Sequence, residues 1–275
     1  MGAKGTSGPE VYYEINERLE FRRVDAADKI AELKKVAEPT SDYTVDEASV
    51  LVIDDEGRRW RLPKRPQPLD GGGTRGVREV ISERYLAHFD GTFYEIPRHG
   101  EKTVPDFARM KPVASHDRRI MDFATWRGLL ILTGTVTDAR PDGHFFQSGQ
   151  GGPGLWFGAI DDLYKLGTPS GVGGPWKDTA VKAGAPSDPY LMTNFERKSV
   201  TLSHDSREPV RFTIEVDVLG NGTWFTYNVI DVPVGERSTH QFPEAFSAHW
   251  VRMTADRSAT ATAWFEYTPS AAISR

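Results

Sequence analysis

Three segments of this 275-residue chain repeat one strand–turn–strand pattern, and this repetition restricts the fold more than any other feature. They cover residues 49–63, 84–97 and 155–169. In each segment an aromatic residue precedes Leu or Ile by two positions, and Pro or Gly ends the second strand. Recurring antiparallel units of this kind are typical of β-propeller blades. The alternative is an ordinary antiparallel sheet with similar hairpins.

The C-terminal third shows a different pattern. Residues 211–218 alternate apolar with polar side chains, and several short strand-like runs follow with turn residues between them. Six such strands predict a small β-sandwich, and 26 Gly with 18 Pro agree with a turn-rich chain. We therefore predict an all-β protein with partial or assembled propeller-like antiparallel blades followed by a small C-terminal β-sandwich. The predicted boundaries are a flexible leader over 1–9, the propeller-like domain over 10–190 and the sandwich over 191–275.

Composition excludes several classes of function. The chain has no cysteine, so disulfides, thiolate nucleophiles and Cys-ligated zinc are absent. A net charge of −5 with scattered Lys and Arg argues against a nucleic-acid partner. The longest apolar run, residues 128–132, is too short to span a membrane. With no visible secretory signal, a cytoplasmic location is the default expectation. No nucleotide-binding, zinc-hydrolase or EF-hand spacing occurs, so no cofactor is predicted.

The densest polar cluster lies between residues 115 and 127 and precedes a strongly apolar strand. It contains His116, Arg118, Arg119, Asp122 and Arg127. In one interpretation His116 and Asp122 are catalytic, with His116 as an acid or base near neutral pH. The three arginines would then clamp a carboxylate, such as that of a uronic acid. In the other interpretation the Arg and Asp side chains form structural ion pairs and His116 caps a loop.

A second cluster combines aromatic and acidic residues. It contains Trp176, Lys177, Asp178, Asp188 and Tyr190, with Asp161 and Asp162 earlier in the chain. Sugars stack their apolar faces on Trp while carboxylates bind the hydroxyls, so these residues form a candidate saccharide subsite. Two of the acids could also perform glycosidic acid–base chemistry or hold Ca²⁺. The alternative for Asp161 and Asp162 is a structural role in a hairpin turn.

The local sequence around three further histidines predicts their roles. His144 lies in a Gly-rich region, which makes it a candidate for a mobile catalytic or ligand-gripping group. His204 precedes a turn and His249 begins a strand, so both are predicted to be packing or turn residues.

Several segments carry a resemblance to a larger group of proteins. They are residues 54–63, 116–130, 173–178, 187–193 and 248–252. The chain resembles, from about residue 11 onward, the C-terminal half of mostly uncharacterised bacterial proteins that are similar to β-propellers followed by a small β-sandwich. The resemblance implies a carbohydrate-related role, with propeller-type lyases and glycosidases acting on uronic acid or rhamnose linkages as the nearest analogy of fold.

The chain departs from that pattern because it is short. Three or four blades cannot close a propeller, which would leave an exposed sheet edge that a second copy could cover. The first functional hypothesis is a lyase or glycosidase that cleaves an acidic or deoxy-sugar polysaccharide by acid–base chemistry. The alternative is a non-catalytic carbohydrate-binding or oligomeric scaffold protein. In both, the expected partner is a polysaccharide or oligosaccharide.

Overall fold

The structure is a computed structural model, and it describes residues 2–3, 11–18, 20–37, 43–67, 76–80, 84–98, 105–118, 120, 122–135, 143–147, 154–244 and 246–270. The described residues form an all-β protein, as predicted. The strands are β1 Gly2–Ala3, β2 Val11–Ile15, β3 Phe21–Val24, β4 Tyr43–Val45, β5 Val50–Ile53, β6 Arg59–Leu62, β7 Val77–Val80, β8 Arg84–Phe89, β9 Thr92–Ile96, β10 Lys111–Ser115, β11 Phe123–Trp126, β12 Leu129–Thr135, β13 Phe145–Gln147, β14 Gly154–Gly158, β15 Gly171–Val181, β16 Tyr190–Leu191, β17 Arg197–His204, β18 Val210–Asp217, β19 Phe225–Val232, β20 Arg237–Gln241, β21 Trp250–Ala255 and β22 Ala259–Thr268. The helices are α1 Ala27–Ala37 and the short 3₁₀ helices Phe107–Arg109 and Ile160–Lys165. No helix in this part of the chain is long and apolar enough to cross a membrane.

The chain divides into two compact units. The first unit comprises Met1–Ser41, Gly71–Arg75 and Asp117–Asp162, and the second comprises Asp42–Asp70, Gly76–His116 and Leu163–Arg275. Residues 191–275 therefore share a unit with strands from the first half of the chain. In the leader, β1 pairs with β2, whereas residues 4–9 lie outside the described residues.

The first unit contains two small sheets. One has the order β1-β2-β3 and the other β11-β12-β14-β13. Strands β11 and β12 are joined by a tight turn at Arg127 and Gly128, both of which have positive φ angles of 50° and 85°. Ile131, Leu155 and Phe157 form the small apolar core of the second sheet.

The second unit contains a sandwich of two sheets, with the orders β15-β22-β17-β20 and β19-β18-β21-β16-β6-β5-β4. Because side chains alternate along β18, Phe212, Ile214 and Val216 point into the apolar core that the two sheets share, and the side chains between them face outward. A third sheet, β10-β9-β8-β7, is an antiparallel meander in strand order. Its residues Phe89 and Tyr94 join the same core.

The three repeated segments form three different structures. Residues 84–97 form the β8–β9 hairpin of the meander, which has the strand order of a propeller blade. Residues 49–63 form β5 and β6, which continue the seven-stranded sheet through a parallel pairing of β6 with β16. In the third segment the 3₁₀ helix Ile160–Lys165 follows β14, and the Asp162 carboxylate accepts the Ala159 N–H at 2.8 Å. Among the described strands, the five sheets do not close into a propeller ring.

Candidate ligand-binding cleft

His116 belongs to a buried histidine pair. It follows β10, is 6 % exposed, and its Nε2 atom lies 3.1 Å from Nε2 of His88. The two rings are nearly parallel, with centroids 5.2 Å apart. Burial lowers the pKa of His88 to about 3, and the charges of His116 and Arg65 act in the same direction. Because the pair is enclosed, a polymeric substrate has no access to His116 in this structure.

The other residues of the His116 cluster lie in the first unit, so the structure divides the cluster between two units. Arg118 is exposed. The Asp122 carboxylate accepts the N–H of the next residue at 2.8 Å. The Arg127 guanidinium lies 4.8 Å from the centre of the Trp126 ring at the β11–β12 turn. Arg119 lies outside the described residues.

His144 is held in place by its own unit. Its Nδ1 atom lies 2.7 Å from the Phe157 carbonyl oxygen, so Nδ1–H is the donor. The imidazole also stacks on Trp156, with ring centroids 5.2 Å apart and an interplanar angle of 17°. These two contacts fix the ring, whereas the sequence predicted a mobile group.

Two aromatic members of the second predicted cluster face the core. Trp176 is 6 % exposed and packs 6.5 Å from Phe212, measured between ring centroids. Tyr190 is fully buried beside Phe265, and burial raises the pKa of its hydroxyl well above the ordinary value. Neither ring has a free face on which a sugar could stack. Lys177 and Asp178 are exposed, because the register of β15 against β22 shifts between Trp176 and Thr179.

Asp188 is engaged by two arginines of β6. Its carboxylate accepts Arg59 Nε–H at 3.1 Å and Arg61 Nε–H at 3.0 Å. The Arg61 guanidinium also binds the Asp46 carboxylate at 2.9 Å and the Ser49 hydroxyl at 2.9 Å. This network ties the β4–β5 turn and β6 to the segment before β16. In the structure, Asp188 therefore bridges strands of the sandwich.

We expect Asp188→Ala to lower the free energy of unfolding by about 2 kcal/mol, because the largely buried Arg61 loses one of its two carboxylate partners. Denaturant unfolding measures this loss. Glu244→Ala, which removes a more exposed ion pair with Arg197, is the control and should cost under about 1 kcal/mol. Equal losses in the two variants would contradict a structural role for Asp188.

The second unit has a cleft of about 540 Å³ that sequence reasoning did not find. Its walls come from the 3₁₀ helix Phe107–Arg109 and the start of β10, the loop after β18, and the segments beside β16 and β21. We call it the Arg109–Lys111 cleft. It is lined by Pro97, Arg109, Lys111, Thr193, Val218, Leu219, Asn221 and His249.

A buried carboxylate builds one wall of this cleft. Asp217 Oδ1 accepts the backbone N–H groups of residues 219, 220 and 221 at 3.2, 2.9 and 3.3 Å, and Oδ2 accepts that of residue 222 at 2.7 Å. Gly220 has a φ of 66°, and a Cβ there would lie 2.3 Å from the Ala108 carbonyl oxygen. The loop thereby leaves Val218 47 % and Leu219 68 % exposed.

His249 places an imidazole at the cleft, although it is only 7 % exposed. Its Nε2 atom lies 2.8 Å from the Met110 carbonyl oxygen, so Nε2–H is the donor and Nδ1 carries the lone pair of the neutral ring. Burial lowers the pKa of His249. Sequence reasoning treated His249 as a packing residue, since nothing near it in the chain indicates that it meets Met110.

The exposed charges of the cleft lining have one sign. Arg109 and Lys111 are both exposed, and no carboxylate is among the described side chains that line the cleft. Arg109 pairs with the largely buried Asp106, whose Oδ2 lies 3.7 Å from Arg109 Nε. Cations beside exposed aliphatic chains suit an anionic ligand that also has an apolar surface.

The part of the chain that the structure describes contains no candidate metal site. There, no group of three or more His, Asp or Glu side chains is arranged to hold an ion. Asp161 is exposed and Asp162 caps the turn before its 3₁₀ helix.

Comparison with known proteins gives no family. No protein-family model matches the chain, and no curated protein matches it. Among solved structures, an exo-β-1,3-galactanase from Phanerochaete chrysosporium, crystallised with galactose, is 9 % identical over 82 % of this chain and 67 % of its own, with a TM-score of 0.24. A GH32 β-fructofuranosidase from Bombyx mori is 10 % identical over 95 % and 73 %, with a TM-score of 0.19. Similarity of this size does not establish a common fold. The site is thus defined by its own geometry, as a cationic cleft on an all-β protein.

Proposed function

We propose that this chain is a carbohydrate-active protein that binds an acidic saccharide in the Arg109–Lys111 cleft. The observation that supports this proposal is the presence of two cationic and two exposed aliphatic side chains in one concavity. A uronic acid residue has a carboxylate for Arg109 and Lys111 and an apolar C–H face for Leu219. Thr193 and Asn221 add hydrogen-bonding groups for the ring hydroxyls.

Hydrolysis is not the chemistry that this lining supports. Glycosidases normally use a pair of carboxyl groups on either side of the scissile bond. The described lining residues contain no Asp or Glu. Binding without hydrolysis, which the sequence left open as the alternative function, therefore fits the cleft better than a glycosidase does.

Cleavage by β-elimination is the second candidate function, and His249 is the observation that favours it. With Nε2–H donated to Met110, the neutral ring has Nδ1 available to accept a proton. In such a step Nδ1 takes the proton α to the carboxylate, which Arg109 neutralises. The C–H electron pair forms a C=C bond, the C–O bond to the leaving sugar breaks, and water supplies the proton for the leaving oxygen.

The test of binding is calorimetric titration with galacturonate oligosaccharides. We expect the double variant Arg109→Ala/Lys111→Ala to reduce the affinity at least about tenfold, since each charge-assisted contact contributes on the order of 1.5 kcal/mol. Lys182→Ala removes an exposed lysine outside the cleft and is the matched control. Unchanged affinity in the double variant, or equal affinity for polyglutamate, would overturn the proposal.

Product analysis in the same experiment separates binding from cleavage. Ultraviolet absorbance of an unsaturated sugar, lost in His249→Gln while binding persists, would establish β-elimination. Reducing ends without that absorbance would exclude elimination and place hydrolysis elsewhere in the chain. Binding with neither product would identify a non-catalytic binding protein.

A further inference from the structure

A half-exposed tryptophan lies on the outer face of the four-stranded sheet of the second unit. Along β22, Ala263 and Phe265 are buried in the core, whereas Trp264 between them faces outward. An indole in that position places apolar area at the solvent boundary of the sheet surface. It is not one of the residues that line the Arg109–Lys111 cleft.

Two lysines flank the Trp264 ring. Lys64 Nζ lies 5.5 Å and Lys177 Nζ 5.8 Å from the ring centre. Lys64 Nζ is fixed by the backbone carbonyl oxygens of Asp46 and Glu47, at 3.0 and 2.6 Å. Both ammonium groups lie over the ring, where they place N–H donors next to the exposed part of the indole.

Asp178 adds a fixed acceptor to the same surface. Its backbone has a φ of 45°, and its N–H donates to the Thr262 hydroxyl oxygen at 2.9 Å. That hydroxyl in turn donates to Asp178 Oδ1 at 3.0 Å, while Lys177 Nζ lies 3.4 Å from Oδ2. Thr262 thus holds a strained residue with its carboxylate beside Lys177.

This surface carries charges of both signs. Lys64 and Lys177 share it with Asp178 and with the exposed Glu266, which lies on the outward face of β22 with Trp264. The charge of Arg237 also acts on Asp178. The two exposed carboxylates disfavour an anionic ligand here, whereas the described lining of the cleft contains no carboxylate. A ligand with an apolar face and a rim of hydroxyl groups matches an indole surrounded by fixed donors and acceptors.

We propose that Trp264, Lys64, Lys177 and Asp178 form a second saccharide-binding site, the Trp264 platform, which takes an uncharged sugar residue. The C–H face of the sugar stacks on the indole. Lys64 and Lys177 donate to hydroxyl oxygens, and the Asp178 carboxylate accepts a hydroxyl proton. The sequence placed a saccharide subsite at Lys177 and Asp178 with Trp176 as the stacking ring. The structure buries Trp176 and supplies Trp264 from another strand.

The test compares oligosaccharides of galactose with those of galacturonate, which differ by the carboxylate. We expect Trp264→Ala to weaken binding of the galactose oligosaccharides roughly tenfold and to leave galacturonate binding unchanged. Arg109→Ala/Lys111→Ala should show the reverse selectivity. Failure of the platform is thereby distinguished from failure of the cleft. Trp224→Ala is the matched control, because Trp224 is another half-exposed indole with a cation, Arg252, 4.3 Å from its ring centre.

A measurement on the unaltered protein tests the platform even if Trp264→Ala does not fold. Galactose oligosaccharides should shift the indole N–H resonance of Trp264 more than that of Trp224 in a two-dimensional NMR titration. The platform is refuted if the unaltered protein binds no uncharged saccharide, if Trp264 shows no shift, or if Trp224→Ala weakens binding as much as Trp264→Ala does.

Discussion

Lowering the pH from 6.5 to about 4.5 is expected to remove about 2 kcal/mol from the free energy of unfolding, chiefly through His88. Burial lowers the pKa of His88 to about 3, with His116 and Arg65 opposing the added charge. Below pH 6.5 the unfolded chain binds a proton at this residue and the folded chain does not. Stability therefore falls as the pH falls, and the contribution of His88 to this loss levels off only near pH 3. Denaturant unfolding across this pH range measures the slope.

The variant His88→Gln tests the origin of this slope. It removes the titrating group, so most of the pH dependence should disappear. The slope that persists belongs to His240 and His249, because burial also lowers the pKa of each. At the acid end it also belongs to Asp46 and Asp54, because hydrogen bonds and neighbouring arginines lower the pKa of each carboxyl. An unchanged slope in His88→Gln would contradict the explanation. So would an NMR titration in which the His88 ring of the unaltered protein takes up its proton near pH 6.5.

Asp217→Ala is expected to have the second large effect. The substitution leaves the four backbone N–H groups of residues 219–222 without their common acceptor, in a loop closed over a carboxylate that is 2 % exposed. We expect a loss of about 3 kcal/mol in the free energy of unfolding. Because this loop presents Val218 and Leu219, the affinity for galacturonate oligosaccharides should also fall at least about tenfold.

Asp231→Ala is the matched control for Asp217→Ala. Asp231 lies on the neighbouring strand β19, its side chain is largely exposed, and it pairs with Arg211 at 2.8 Å. Exposed ion pairs contribute little to stability, so this variant should be nearly as stable as the unaltered protein and bind normally. If Asp217→Ala retained normal stability and affinity, its carboxylate would not be what holds the cleft wall.

Local patterns were sufficient wherever an element depends on its own residues. The β8–β9 hairpin turns at Asp90 and Gly91, whose φ angles of 45° and 80° suit a two-residue turn between strands. The alternation in β18 likewise determines which of its side chains enter the core. Both features arise from the two-residue period of a strand and from turn stereochemistry, which neighbouring residues specify.

The repeated segments show what local sequence patterns cannot predict. Nothing in residues 49–63 indicates that β6 pairs with β16, whose partner residues Arg61 and Tyr190 are far apart in the chain. The same hairpin pattern continues a sandwich sheet in one copy and forms a blade-like meander in another. A sheet edge accepts any strand of matching register and face. The tertiary core therefore decides which copy becomes which.

The candidate sites also depend partly on the local sequence and partly on the tertiary structure. The sequence by itself determined an all-β chain and its main hairpins, and it predicted a saccharide subsite near Lys177 and Asp178. Only the tertiary structure decided that Trp264 replaces Trp176 beside them and that His249 meets Met110 at a cationic cleft. Residue types and their period are local properties, whereas a concave site joins side chains whose proximity depends on how distant strands pack.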